Sequence, residues 1–182
     1  MKKFLIPVLL LLLLTLMVTA CSPTQNQIPG ETKTPLNPEQ FRQMAEAAGY
    51  EIQDMEITAE DQEIEPGLTI CIVFYKGNED GGFQAGHYKV FDTEKNAIDL
   101  FAVGKADLER IEKEETAAGK EIPGSSAEGQ NFAYCTRSFS SLDPEPIYAA
   151  ASRIGETIVD VSVSIDAQEE MVQFLQDLGY IE

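Results

Sequence analysis

The N-terminal segment constrains the fold most, because its composition removes it from the folded domain. Lys2 and Lys3 precede an almost unbroken apolar run, Phe4–Val18. A membrane-spanning helix needs about 20 apolar residues, and this run is shorter and is interrupted by Thr15. A positive start followed by such a run is typical of a cleaved export signal. We therefore predict a signal peptide over residues 1–20, which leaves about 160 residues for a single domain.

The end of this segment carries a second pattern. Val18-Thr19-Ala20-Cys21 places small residues directly before a cysteine, and this resembles the lipobox of bacterial lipoproteins. In that family the cysteine thiol receives a diacylglyceryl group carrying acyl chains such as palmitate, and the signal is cut before it. The resemblance implies lipidation at Cys21 and a protein held on the extracytoplasmic side of the cell membrane. Two acyl chains are enough for stable anchoring.

The residues after the lipobox are polar and rich in Pro, Gly and Thr, with no apolar period. We expect residues 21–36 to hold the lipidated cysteine and a flexible tether that spans on the order of 20 Å. The folded domain is then expected over residues 37–182. Signal, tether and charge together resemble those of small lipoproteins of Gram-positive bacteria, and no motif after residue 37 narrows the family further.

The chain is strongly acidic. It has 13 Lys+Arg against 31 Asp+Glu and a formal net charge of −18. This charge argues against nucleic acid as a partner and against electrostatic docking on anionic lipid. It fits a solubilising surface, or a domain that meets cationic partners.

Hydrophobic periodicity predicts the order α-βββ-α-βββ-α for the folded part. Asn37, Pro38 and Gln40 form a helix start with a capping box. The strands are expected at 50–57, Leu68–Tyr75, Gly86–Phe91, Asn131–Phe139, Ile147–Arg153 and Thr157–Ser164. Ala59–Pro66 is expected to be an acidic loop and Thr116–Gly129 a flexible one. Short connections favour an α+β fold, an antiparallel sheet with helices packed on one face.

Cys71 and Cys135 are the candidates for a disulfide. Export would place them in an oxidising compartment, and each lies on the first strong strand of its half of the domain. The alternative is a pair of free thiols that pack as small hydrophobic groups. No C-x-x-C spacing indicates a redox function.

Four further residues are candidate ligand contacts. Arg137 and Arg153 lie within predicted strands of a chain poor in positive charge, where an inward-facing guanidinium needs a carboxylate or an anionic ligand. Tyr134 and Tyr148 lie on the same strands and would line a shallow aromatic groove. The alternatives are internal salt bridges for the arginines and sheet packing for the tyrosines.

The sequence carries no strong catalytic or metal-binding motif. His87 is the only histidine, which excludes a metal site of several imidazoles and leaves one residue for any Ser-His-Asp or Cys-His catalyst. No nucleophile turn accompanies it, and the acidic clusters lack the calcium-loop spacing. We therefore predict no catalytic residue, metal or cofactor.

These patterns favour a non-catalytic, lipid-anchored domain that binds a small ligand or an envelope protein. One alternative is a cell-envelope hydrolase with dispersed acidic catalytic residues, which would need carboxyl groups with raised pKa values in a cleft. Another is an acidic domain that captures cationic peptides or metal ions.

Overall fold

The computed structural model of the protein describes residues 26–27, 30–77, 83–140 and 145–182. The predicted signal and Cys21 lie outside these residues. The strands are β1 (Asn26–Gln27), β2 (Glu51–Asp54), β3 (Leu68–Gly77), β4 (Phe83–Phe91), β5 (Gly124–Glu128), β6 (Phe132–Phe139), β7 (Ile147–Ile154) and β8 (Thr157–Ser164). They form one sheet in the order β1-β5-β6-β7-β8-β4-β3-β2. Every pairing is antiparallel except that of the two-residue β1, which lies parallel to β5.

Four α-helices accompany the sheet in the described part of the chain. They are α1 (Pro38–Ala47), α2 (Ala59–Ile64), α3 (Glu94–Ala117) and α4 (Gln168–Asp177). The side chains of Asn37, Thr58 and Thr93 cap the first three by accepting a backbone N–H three residues on. The predicted α+β class and the antiparallel sheet are confirmed. The expected acidic loop contains α2, and the expected flexible stretch contains β5.

Helices cover both faces of the sheet, so the expectation that they pack on one face is wrong. On one face, here called the two-helix face, α1 and α4 contribute Phe41 and Leu175 to the core. On the other, the long-helix face, α3 packs over Cys135 and Ala151. The physical reason is that β6 and β7 are buried along almost their whole length, so both of their surfaces need cover. Small residues admit the helix closely: a Cβ added to Gly104 would lie 3.6 Å from that of Ala151.

Helix α3 leaves part of its own face open. It packs chiefly on β6 and β7, so the surface of β2, β3, β4 and β8 extends beyond it. There the side chains of Val73, Tyr75 and Ala85 are half-buried and Ser162 is exposed. We call this surface the open sheet. At one end of it, α2 and the chain before α2 lie beside β3 and β4.

Residues 30–36 are docked along one end of the sheet, so the tether prediction is wrong for them. Lys33 N donates to Asn131 Oδ1 at 2.9 Å, and Asn131 Nδ2 donates back to the Lys33 carbonyl at 2.8 Å. The Tyr88 hydroxyl donates to the Leu36 carbonyl at 2.5 Å. The domain therefore begins before residue 37. Residues 22–25 and 28–29 of the predicted tether lie outside the described residues.

Candidate functional site

The two cysteines predicted to pair lie in different halves of the sheet. Cys71 is on β3 and Cys135 on β6, and β4, β8 and β7 lie between them. Four strand spacings of about 4.8 Å separate them by about 19 Å, whereas bridged cysteines have Cα atoms within about 7 Å of each other. Both thiols are free. The predicted disulfide is therefore wrong, because the two strands are not neighbours.

Arg137 and Arg153 fasten α3 to the sheet. The Nε atom of Arg137 lies 2.8 Å from Glu112 Oε2, and Arg153 Nη1 lies 2.9 Å from Glu94 Oε1. Each guanidinium also donates to backbone carbonyls. Their donors are thus used inside the protein, as in the salt-bridge alternative, and neither arginine presents a ligand site.

Tyr134 and Tyr148 lie on the two-helix face, with 5% and 2% of their surface exposed. Alternation along β6 puts Tyr134 and Arg137 on opposite faces of the sheet. The four predicted ligand contacts are therefore not brought together, and the tyrosines pack in the core.

A different set of charged residues meets at the end of the open sheet. Strand register places His87 opposite Asp160 and Cys71 opposite Lys89. His87 Nδ1 lies 2.8 Å from Asp160 Oδ1. Lys89 Nζ lies 3.2 Å from Asp160 Oδ2 and 2.8 Å from Glu65 Oε1. A continuous network thus runs from His87 through Asp160 and Lys89 to Glu65.

This network borders a groove of about 270 Å³ between α2 and strands β3 and β4. The groove is lined by Met55, Glu56, Ile57, Asp61, Glu65, Leu68, Cys71, His87 and Lys89. Lys89 is only 12% exposed and Glu65 19%, whereas His87 is 44% exposed. The ion pair is therefore withdrawn from solvent while the imidazole remains accessible.

The second carboxylate oxygen of Glu65 stands out within the groove. Its Oε2 atom is buried and receives no hydrogen bond from the described residues. An unsatisfied buried acceptor costs free energy. Glu65 therefore keeps an acceptor position that no described residue fills.

Opposite charges hold Asp160 and Lys89 ionised. Burial acts to raise the pKa of Asp160, but the hydrogen bond from His87 and the charge of Lys89 outweigh it and lower that pKa. Burial acts to lower the pKa of Lys89, but Asp160 and Glu65 outweigh it and raise that pKa. Both groups are therefore charged at neutral pH, and Lys89 and Asp160 form an ion pair.

The same groups argue against catalysis at this site. Burial raises the pKa of the Cys71 thiol, which makes it a poor nucleophile beside the only histidine. At this site the carboxyl groups of Asp61 and Asp160 have lowered pKa values. A general acid of a hydrolase needs the opposite shift.

A second, more open hollow of about 590 Å³ lies beside α4. Its carboxylates are those of Asp166, Glu169, Glu170 and Asp177. All four residues are exposed, and Glu170 is already paired with Lys76 at 2.6 Å. Exposed charges are screened by salt, so the groove at Glu65 is the better-defined candidate.

The described residues form neither a metal-binding cluster nor a membrane-spanning helix. Across residues 26–27, 30–77, 83–140 and 145–182, no group of three or more His, Cys, Asp or Glu side chains is placed to hold a metal ion. No helix in the described ranges is long and apolar enough to cross a membrane.

Comparisons with protein-family models, with curated proteins and with solved structures found no match for this chain.

His87 and Cys71 were considered from the sequence, but the charged residues beside them were not predicted as a site. These are Lys89, Asp160 and Glu65. Lys89 carried a signal, because it follows His87 by two positions on a strand and so shares its face. Asp160 interrupts an apolar strand, where an acid needs a partner. Glu65 carried none, because its position depends on α2, which the sequence did not predict.

Proposed function

We propose that this chain is a membrane-anchored extracytoplasmic lipoprotein whose domain binds a small ligand without catalysis. The observation that carries the binding role is the groove at Glu65. There a buried carboxylate oxygen, which receives no hydrogen bond from a described residue, and a charged network meet apolar walls. Pockets for small molecules combine these same features, mostly apolar walls with a few placed polar groups. The anchor rests on the lipobox pattern ending at Cys21.

The position of such an anchor relative to the sheet follows from two features. Residues 30–36 are docked on the domain, and β1 pairs with β5. Five Cα steps separate Cys21 from Asn26, and a fully extended chain covers at most about 18 Å over that distance. The lipid would therefore keep the β1 edge of the sheet within about 18 Å of the membrane, whereas a free tether to residue 36 would let the domain move farther away.

A protein partner in the envelope is the second candidate. The open sheet favours it, since Val73, Tyr75 and Ala85 form half-buried surface that no helix of the described chain covers. Interaction sites often combine exposed apolar groups with a polar rim.

The anchor is tested by expressing the full chain in bacteria with a clickable palmitate analogue. We expect the protein to be labelled and to sediment with membranes, and Cys21→Ala to lose both properties. Cys71→Ala is the matched control and should stay labelled. Equal labelling of Cys21→Ala and the parent protein would refute the anchor.

Ligand binding is tested by a thermal-shift screen of metabolites, amines, peptides and cell-wall fragments. A ligand at 100 times its Kd stabilises the native state by about 2.7 kcal/mol, which raises Tm by roughly 5–10 °C in a domain of this size. His87→Ala should abolish the shift, whereas Gln53→Ala, in the same cross-strand row but outside the groove, should retain it. A shift unchanged in His87→Ala would place binding elsewhere.

A further inference from the structure

We infer that the groove selects ligands that carry an ammonium group next to a short apolar portion, with Glu65 Oε2 as the acceptor. This inference rests on the proposed ligand-binding role and adds the chemical class of the ligand. It follows from the charge of the lining, the use of Lys89, and the arrangement of polar and apolar walls.

The charge of the lining favours a cation. Glu56, Asp61 and Glu65 supply three carboxylates, against the one ammonium of Lys89. Asp160 adds a fourth carboxylate directly behind Lys89. In a partly enclosed groove such an excess attracts cations and repels anions more strongly than it would on an open surface.

Lys89 does not act as an anion site. It already bonds to Glu65 Oε1 at 2.8 Å and to Asp160 Oδ2 at 3.2 Å, so its charge is neutralised by two carboxylates. An incoming anion would have to displace one of them. A bare divalent cation would place two positive charges beside the ammonium of Lys89, whereas an alkylammonium places one, so the repulsion is stronger for the metal.

Glu65 Oε2 has the properties of the matching acceptor. The atom is buried, belongs to a residue that lines the groove, and receives no hydrogen bond from a described residue. An ammonium N–H would form a charge-assisted hydrogen bond to it, which is stronger than a bond from a neutral donor. Cation selection thus follows from a single named atom.

The remaining walls are apolar. Met55, Ile57 and Leu68 line the groove beside the carboxylate, and Met55 is 47% exposed at its rim. A volume of about 270 Å³ holds an alkyl chain of several carbons together with its head group. The site therefore suits an amphipathic amine, either free or at the end of a peptide.

The test compares three probes with the same alkyl chain: n-hexylammonium, hexan-1-ol and hexanoate. His87 lines the groove and is the only histidine, so its ring Hε1 proton gives one assignable NMR signal in protein purified without a histidine tag. We expect hexylammonium to shift this signal at concentrations at least tenfold lower than hexanol does, and hexanoate to leave it unchanged.

Two variants assign the selectivity to Glu65. Glu65→Gln keeps the shape of the side chain and leaves Lys89 paired with Asp160, so the fold should persist; we expect the preference for ammonium over alcohol to fall to less than threefold. Glu63→Gln removes the same charge two residues earlier, within α2 and outside the groove lining, and should keep the preference. A free amine and an N-terminal dipeptide amine are then compared, to distinguish the two sources of the ammonium.

Each contrary result has a defined meaning. Equal shifts with hexanol and hexylammonium would show that any donor, water included, satisfies Glu65, and would overturn the inference. A stronger shift with hexanoate would overturn the ligand class while supporting the groove as a binding site. If no probe moves His87, the inference fails, and the thermal-shift screen decides the proposed function independently.

Discussion

Arg137 and Glu112 join the centre of the sheet to the long helix: the Nε of Arg137 lies 2.8 Å from Glu112 Oε2, and only 2% of the arginine side chain is exposed. Removing one partner of a buried pair leaves an uncompensated charge. We predict that Glu112→Gln lowers the free energy of unfolding by about 3 kcal/mol, measured by urea denaturation.

The equivalent change at the other arginine provides the control. Glu94 is 48% exposed, and Arg153 keeps its bonds to the carbonyls of Asn131 and Gly155 when the carboxylate is lost. Glu94→Gln should therefore cost about 1 kcal/mol or less. Equal losses in the two variants would mean that the exposure of the carboxylate does not set the cost.

Cys71 and Cys135 should be free thiols even after export. We predict that an alkylating reagent in denaturant labels both cysteines without prior reduction, because about 19 Å separates their strands. In the native protein Cys71 should react first, since it is half-buried whereas Cys135 has no exposed surface. Peptide mass spectrometry distinguishes the two sites. A requirement for reductant before labelling would contradict this arrangement of the sheet.

Local patterns predicted the main elements well. The capping box at Asn37 and the apolar alternation of β3 and β8 are encoded in neighbouring residues, so sequence alone reveals them. Strand order is different in kind, because it depends on which distant segments pair. The disulfide prediction failed for this reason: it assumed that β3 and β6 are neighbours.

The placement of the helices and the candidate site depended on the same long-range information. Ala149, Ala150 and Ala151 place small apolar side chains on both surfaces of β7, and this two-sided pattern indicates cover on both faces. The network at Lys89 needs β8 beside β4, and these two strands are far apart in sequence. It also needs α2, which the sequence did not predict. Lys89 and Asp160 could be recognised singly, but the site could not.

Asn131 should hold residues 30–36 against the domain. Its side chain makes two hydrogen bonds to the backbone of Lys33, each worth about 1 kcal/mol. We predict that Asn131→Ala increases the rate of tryptic cleavage after Lys33 by about tenfold or more, consistent with that loss.

The neighbouring residue supplies the matched control. Gln130 is exposed and bonds to Glu31 through its backbone N–H, so Gln130→Ala should cleave at the parental rate. Unchanged cleavage in Asn131→Ala would show that residues 30–36 are held by other contacts, or that they form the free tether first expected.

At alkaline pH the tyrosines should ionise only as the domain unfolds. All six tyrosines have raised pKa values. Burial is the main cause for Tyr148, whose pKa rises to about 12. For Tyr75 the main cause is a hydrogen bond to Glu51. An unfolded tyrosine ionises near pH 10, so above that pH the unfolded chain releases protons that the native state keeps. The stability is therefore complete below about pH 10 and is lost as the pH rises through the native pKa values. We expect tyrosinate absorbance and loss of circular dichroism to appear together in one cooperative step, whereas in urea the absorbance should follow a simple titration near pH 10. Tyrosinate from more than one residue near pH 10 with native circular dichroism would contradict the burial of the five tyrosines other than Tyr75.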